Sequence, residues 1–170
     1  QGWASFPVTF AAGADTRVVV RYRVAPTGYA PYGTFHYVLD TGAAWAGAIG
    51  DAEVVVRLPY GVEKANVALD ADSMWDTGPQ PAGFAVEGND VVWRFTDLEP
   101  TEADNIRLTV LDPAVWEAIG VARADAANEP ASVEAWRALG AALDAALYTS
   151  RDVGVVTVAD SEALAAEARA

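Results

Sequence analysis

The chain has no cysteine, and among its 170 residues it has one histidine, one lysine and one methionine. The missing cysteine excludes disulfides, thiol nucleophiles, iron–sulfur clusters and cysteine-ligated zinc. Stability must then come from burial, and a chain of this length can bury roughly two-thirds of its unfolded surface in about one domain with a small appendage. Positive charge is also scarce. Eleven basic residues against twenty-four acidic ones leave a formal charge of −13 and an isoelectric point near 4.2. So acidic a chain lacks the electrostatic footprint of a nucleic-acid binder, and no nucleic-acid partner is expected. No uninterrupted apolar run approaches the ~18–20 residues of a membrane span. What remains is globular composition, 52% hydrophobic and 21% charged.

The negative charge is local. Residues 1–69 carry five basic and five acidic side chains, so the whole excess lies in residues 70–170. An acidic half normally means a solvated surface. Arginine outnumbers lysine ten to one and alanine is abundant after residue 112, which is a GC-rich coding bias rather than a stability device. The chain begins at Gln1, as a processed, secreted, excised or trimmed product would.

Alternation of period two dominates the first 111 residues. It predicts strands over 6–10, 17–24, 34–40, 53–58, 90–96 and 106–110, with weaker ones over 62–69 and 84–86. Each has one apolar and one polar face, as in antiparallel sheets with one side on a core. Turn signals such as Pro26-Thr27-Gly28 and Glu87-Gly88-Asn89-Asp90 separate them. About eight such strands imply a mainly β fold, an antiparallel β-sandwich of immunoglobulin-like or jelly-roll-like kind, with a closed barrel as the rival. Residues 1–111 are assigned to it, and residues 112–170 to a C-terminal α-helical segment packed on it.

The period changes at residue 112. Asp112 is a natural N-cap and Pro113 fits the first helical position, and Asn128-Glu129-Pro130 stops this first helix. A second helix is expected from about Ser132 to Leu147, with Trp136, Leu139, Gly140, Leu143 and Leu147 on one stripe. Arg151–Val158 reads as a loop or short strand, and a last helix over 162–169 is capped by Asp160 or Ser161. The pair Trp116-x-x-Ile119-Gly120 and Trp136-x-x-Leu139-Gly140 is similar to the first helix of a tetratricopeptide repeat, but its offset of 20 residues is not that repeat's ~34.

The one dense motif is Tyr37-x-Leu39-x-Thr41-Gly42-x-x-Trp45-x-Gly47-x-Ile49-Gly50. It reads either as a long β–β connection folded over a tryptophan or as an aromatic platform for a sugar or a peptide. With the later stretches Val92-Trp93-Arg94-Phe95, Leu98-Glu99-Pro100 and Asn105-Ile106, it resembles a group of uncharacterised bacterial extracytoplasmic proteins. In that group a β-rich domain precedes a tryptophan-containing helical segment. The resemblance implies a location outside the cytoplasm, periplasmic, secreted or at the cell surface. It also implies a structural or interaction role within a longer envelope protein, with a protein or envelope component as partner. The group has no established activity, so no catalytic residue carries over.

No residue pattern assembles an enzyme. His36 shares a strand face with Asp40, but no Gly-x-Ser-x-Gly elbow accompanies them. Gly42-x-x-x-x-Gly47 lacks the Lys-Ser/Thr of a phosphate loop, no two carboxylates are marked as a glycosidase pair, and no cofactor is implied. The weak metal candidate is Asp70-x-Asp72-x-x-x-Asp76, which offers hard oxygen ligands for Ca²⁺ without the glycine and glutamate of an EF-hand. Ring-bearing residues supply the alternative function, a carbohydrate-binding module: Tyr29, Tyr32, Trp45 and Trp75 form the candidate ligand or partner surface, with Tyr60 as a further ring and Trp93 on a core face. Finally, Arg21, Arg23, Arg57, Arg94 and Arg107 fall on polar strand faces, while residues 112–170 hold ten acids. The expectation is that acidic helices dock beside an arginine-bearing sheet, anchored by Trp116 and Trp136.

Overall fold

The computed structural model describes residues 7–21, 23–28, 30–69, 78–153 and Glu167, with 147–153 as backbone. Among the described residues, five strands make two antiparallel sheets and two helices follow them: β1 (Tyr32–Tyr37), β2 (Ile49–Arg57), β3 (Ala85–Glu87), β4 (Asp90–Leu98), β5 (Ile106–Leu111), α1 (Pro113–Asn128) and α2 (Val133–Val153). The strand order is β2-β4-β3 in one sheet and β1-β5 in the other. Short 3-10 helices occupy Asp40–Ala44 and Glu102–Asp104.

The three-stranded sheet follows directly from alternation. Gly88, at φ +65°, and Asn89 make the two-residue turn from β3 into β4. In the β2–β4 ladder Val54 stands opposite Trp93 and Val56 opposite Val91 on the core side. On the other face Glu53 opposes Arg94, Val55 opposes Val92, and Arg57 opposes Asp90. The charged rungs close on themselves. Arg57 holds Asp90 through two bonds of 2.8 Å, and Arg94 reaches Glu53 at 2.9 Å and Glu87 at 2.6 Å. Hydrogen bonding from these guanidinium groups holds the Glu87 and Asp90 carboxyls below the usual range. Arg57 and Arg94 are therefore answered by acids of their own sheet and not by the helices, because the cross-strand neighbour is the nearest opposite charge.

Strand β5 organises the second sheet. Phe35 pairs with Leu108 and Tyr32 with Leu111, and the Thr34 and Thr109 hydroxyls meet at 2.9 Å. On its other edge β5 takes single bridges from Val67 and Gln80. Ile106, Leu108 and Val110 join Val91, Trp93, Leu58 and Val67 in one buried cluster, so both sheets contribute to one core. Trp93 donates to the Pro81 carbonyl at 2.8 Å, which satisfies its indole N–H.

A second cluster joins the helices to the β1–β5 sheet. Tyr32, Ala68 and Leu111 pack with Ile119, Ala122 and Ala126 of α1 and with Leu139, Leu143 and Ala146 of α2. Asp112 begins α1 as its sequence suggests, accepting from the Ala114 N–H at 2.8 Å with Pro113 behind it. The Ser132 hydroxyl accepts from the Ala135 N–H at the start of α2.

Several expectations change. Eight strands become five among the described residues. Residues 7–28 alternate but find no ladder, apart from the single Thr27–Thr34 bridge, and Phe6 and Tyr22 lie outside the described residues. Residues 62–69 form a turn, with the Asn66 and Val67 N–H groups donating to the Glu63 carbonyl, and contribute one bridge at Val67. Residues 151–153 continue α2, while the proposed loop or strand beyond them, and the cap at 160–161, lie outside the described residues. Trp136 does not anchor the helices. It is 45% exposed, with its indole N–H on the Pro130 carbonyl at 3.1 Å. The buried stripe instead runs through Leu139, Leu143 and Ala146, where alanines let the two helices approach closely. Trp116 keeps part of its anchoring role, 6.3 Å from Tyr60 and under the Arg123 guanidinium at 5.3 Å.

Candidate functional site

The motif loop is built from its two ends. β1 ends at Tyr37, and just beyond it the Asn105 Oδ1 accepts from the backbone N–H of Leu39 at 2.7 Å and of Asp40 at 3.0 Å. The Asn105 amide also donates to the Asp40 carboxylate at 3.2 Å. One side chain from the entrance to β5 thus caps the 3-10 turn that carries the motif. Gly42 is tied sterically, since a Cβ there would meet Pro100 at 3.0 Å and Ile49 at 3.2 Å. Gly47, at φ +82°, turns the chain towards β2. Between these glycines Trp45 donates its backbone N–H to Gly42, and its ring stands 68% exposed. The result is an aromatic side chain on a clamped loop.

The other candidate rings do not join it. Tyr32 is buried in the helix-facing cluster, with its hydroxyl donating to the Ala146 carbonyl at 3.5 Å, and burial raises its pKa. Tyr60 donates to the Leu111 carbonyl, and its pKa is pushed up to about 12, first by burial and then by the Asp112 carboxylate. Both phenols belong to the packing. Trp93 is a core residue, as its strand face suggests. Tyr29, Trp75 and the metal candidates Asp70, Asp72 and Asp76 lie outside the described residues. Among the described residues, no group of three acidic or histidine side chains is placed to hold a metal ion.

A pocket of about 240 Å³ opens between the 26–33 loop, the ends of β1 and β5 and the start of α1. Pro26, Tyr32, Phe35, Val110 and Pro113 give it apolar walls. Its polar groups are committed elsewhere: the Thr27 and Thr34 backbones bond each other, and Asp112 caps α1. A small apolar group would fit there, with little to orient it for a reaction. His36 and Asp40 do not form a catalytic pair on one strand face. His36 stays on β1 opposite Arg107, whereas Asp40 has left the strand for the 3-10 turn and meets Asn105.

Asn105, which holds the motif loop, and Asn66, which closes the turn bridged to β5, are hydrogen-bonding residues that sequence reasoning passed over. Asn66 is fully buried, accepting from the Glu63 N–H at 2.9 Å and donating to the Gly61 carbonyl at 2.9 Å. Its own carbonyl accepts from the Leu111 N–H at 2.8 Å. The available signal was position: each asparagine sits directly before a buried apolar residue at a strand or bridge, where a side-chain amide can finish turn hydrogen bonds. No helix among the described residues is long and apolar enough to cross a membrane. Comparison with protein-family models, curated proteins and solved structures finds no match to this chain.

Proposed function

We propose that this chain is a non-catalytic interaction or structural module acting outside the cytoplasm as part of a longer envelope protein. In this reading the two sheets and their shared core are a small antiparallel sandwich, immunoglobulin-like or jelly-roll-like, and the helices are its C-terminal segment. The observation that carries the reading is Trp45, an exposed indole on a loop held by Asn105 and Gly42. Rigid, exposed aromatics are favoured anchors because they bury a large area at little entropic cost. A protein or envelope component is the proposed partner, since Tyr32 is buried and Tyr60 is committed to packing, so neither of these candidate rings is free to join Trp45 in stacking a sugar.

The test is Trp45→Ala. Its ring touches mainly solvent, so the melting temperature should move by no more than about 1–2 °C. Saturable binding to solubilised envelope proteins should weaken at least tenfold. Binding that ignores the substitution refutes the role of Trp45, and Trp45-dependent hits on a glycan array would replace the protein partner with a carbohydrate.

A further inference from the structure

Residues 17–24 have the pattern of a strand without a strand's surroundings. Val18, Val20 and Val24 alternate with Arg17, Val19, Arg21 and Arg23, and Val19 and Val20 each stand 60% exposed. Among the described residues, no backbone hydrogen bond or bridge joins this stretch to another strand. β-branched residues in strict alternation fit a half-buried pleated surface, and left in water they are an unfilled requirement.

The strand edges of the chain differ in their capacity to accept it. On β1 the register is already set by the reciprocal Thr27–Thr34 bonds of 2.9 and 2.6 Å. In that register Val24 falls opposite Tyr37, the last residue of β1, so residues 17–23 would lie opposite 38–44. There the chain has turned into the 3-10 helix Asp40–Ala44. Strand β3 has only three residues. Strand β2 has nine, and among the described residues only its β4 side is paired.

We propose that residues 17–23 of one copy add antiparallel to the outer edge of β2 in a second copy, reciprocally, with Val19 opposite Val55. This alignment matches chemistry on both faces. On the polar face Arg21 meets Glu53 and Arg23 meets Asp51, so the ion-pair chain Glu87–Arg94–Glu53 gains a cation at its Glu53 end. Val19 covers Val55, which is 41% exposed, and extends the apolar rung Val55–Val92–Ala85. On the core face Val18 and Val20 fall beside the half-buried Val56 and Val54. A slip of one residue puts the core valines on the wrong face, and a slip of two in either direction keeps only one charge pair. The one unfavourable neighbour is Arg17 beside Arg57, whose charge Asp90 already answers.

A second copy is the donor because, among the described residues, no backbone hydrogen bond or bridge joins residues 17–23 to β2 of their own chain. Each copy then offers one donor strand and one acceptor edge, and a two-fold exchange satisfies both. This inference is independent of Trp45.

The absence of cysteine makes the test clean. In the full chain carrying Val19→Cys and Val55→Cys, mild oxidation should give a reducible dimer of twice 17.9 kDa, since directly opposed Cβ atoms lie within disulfide reach. The slipped pair Val20→Cys with Val55→Cys, whose side chains point to opposite faces, should link at most a tenth as well. Without cysteines, light scattering should show a dimer, and Arg21→Glu should raise its dissociation constant at least tenfold with the monomer's far-ultraviolet spectrum unchanged. A monomeric mass at 100 μM, a link formed within one chain, or equal linking by the slipped pair would each overturn the proposal.

Discussion

Asn105→Ala is the most informative single change, because one side chain serves three groups. The Ala variant strips acceptors from the Leu39 and Asp40 N–H groups, both part-buried, and removes the donor to the Asp40 carboxylate. A typical hydrogen bond contributes about 0.5–1.5 kcal/mol net, and a donor left part-buried without an acceptor costs more than the average. The two N–H bonds together set the expected loss at about 2 kcal/mol. For a chain of this size that is a fall of roughly 4–8 °C in melting temperature. Asn105→Asp divides the effect. Its carboxylate still accepts from both N–H groups, but it loses the amide donor and faces Asp40 directly. It should therefore be intermediate at low salt and recover part of its deficit in 0.5 M NaCl, where exposed charges are screened. Calorimetry on the three proteins at two salt concentrations decides the matter. If Asn105→Ala stays within about 0.5 kcal/mol of the parent, or Asn105→Asp is the worse of the two at both salts, Asn105 is not the clamp of the Trp45 loop.

Two further predictions concern the packing. Leu143→Ala should cost about 2–5 kcal/mol by opening a cavity in the helix-facing cluster, and Trp136→Ala well under half of that, although tryptophan is the larger side chain; urea melts giving the reverse order would place the helix stripe wrongly. The Tyr60 pKa is raised from 10.0 to about 12 in the fold, so above pH 10 the unfolded chain sheds that proton first and folding loses stability as pH climbs to 12. Tyr60→Phe should flatten this alkaline slope in pH-dependent urea melts, and an unchanged slope would show that the phenol is not held neutral by the fold.

Much of the fold was legible. Strands β2, β4 and β5, helix α1 and the start of α2 lie within a few residues of their alternation or caps, because Asp112-Pro113 and the Gly88-Asn89 turn act locally, whereas α2 runs on past its expected end at Leu147 to Val153. What was not legible depended on partners. The stretch 17–24 alternates as cleanly as β4, but alternation records a capacity to pair, and no neighbour strand exists for it among the described residues. Trp136 reads as a core anchor by size and spacing, yet the neighbouring turn of α2, with Leu139, Leu143 and Ala146, faces the sheet. For the candidate site, the motif pointed to the loop and to Trp45. It was silent about Asn105, sixty-five residues from Asp40, since a side-chain amide that completes distant turns has no local periodicity. Likewise Tyr32 and Tyr60 looked like free rings until their hydroxyls were followed to the Ala146 and Leu111 carbonyls.

The bond from Tyr32 to Ala146 spans 114 residues, and β1 itself must wait for β5 before it has a partner. During synthesis, then, β1 emerges well before the strand it pairs with. The β3–β4 turn and the β2–β4 ladder are the earliest units able to order themselves, and the chain consolidates from its middle outwards. Strand β1 is enrolled only after β5 has left the ribosome, and its Tyr32 bond to Ala146 only after α2 has. With pairings this remote the search for them is slow, and folding over milliseconds to seconds is expected rather than the microseconds of a local helical bundle.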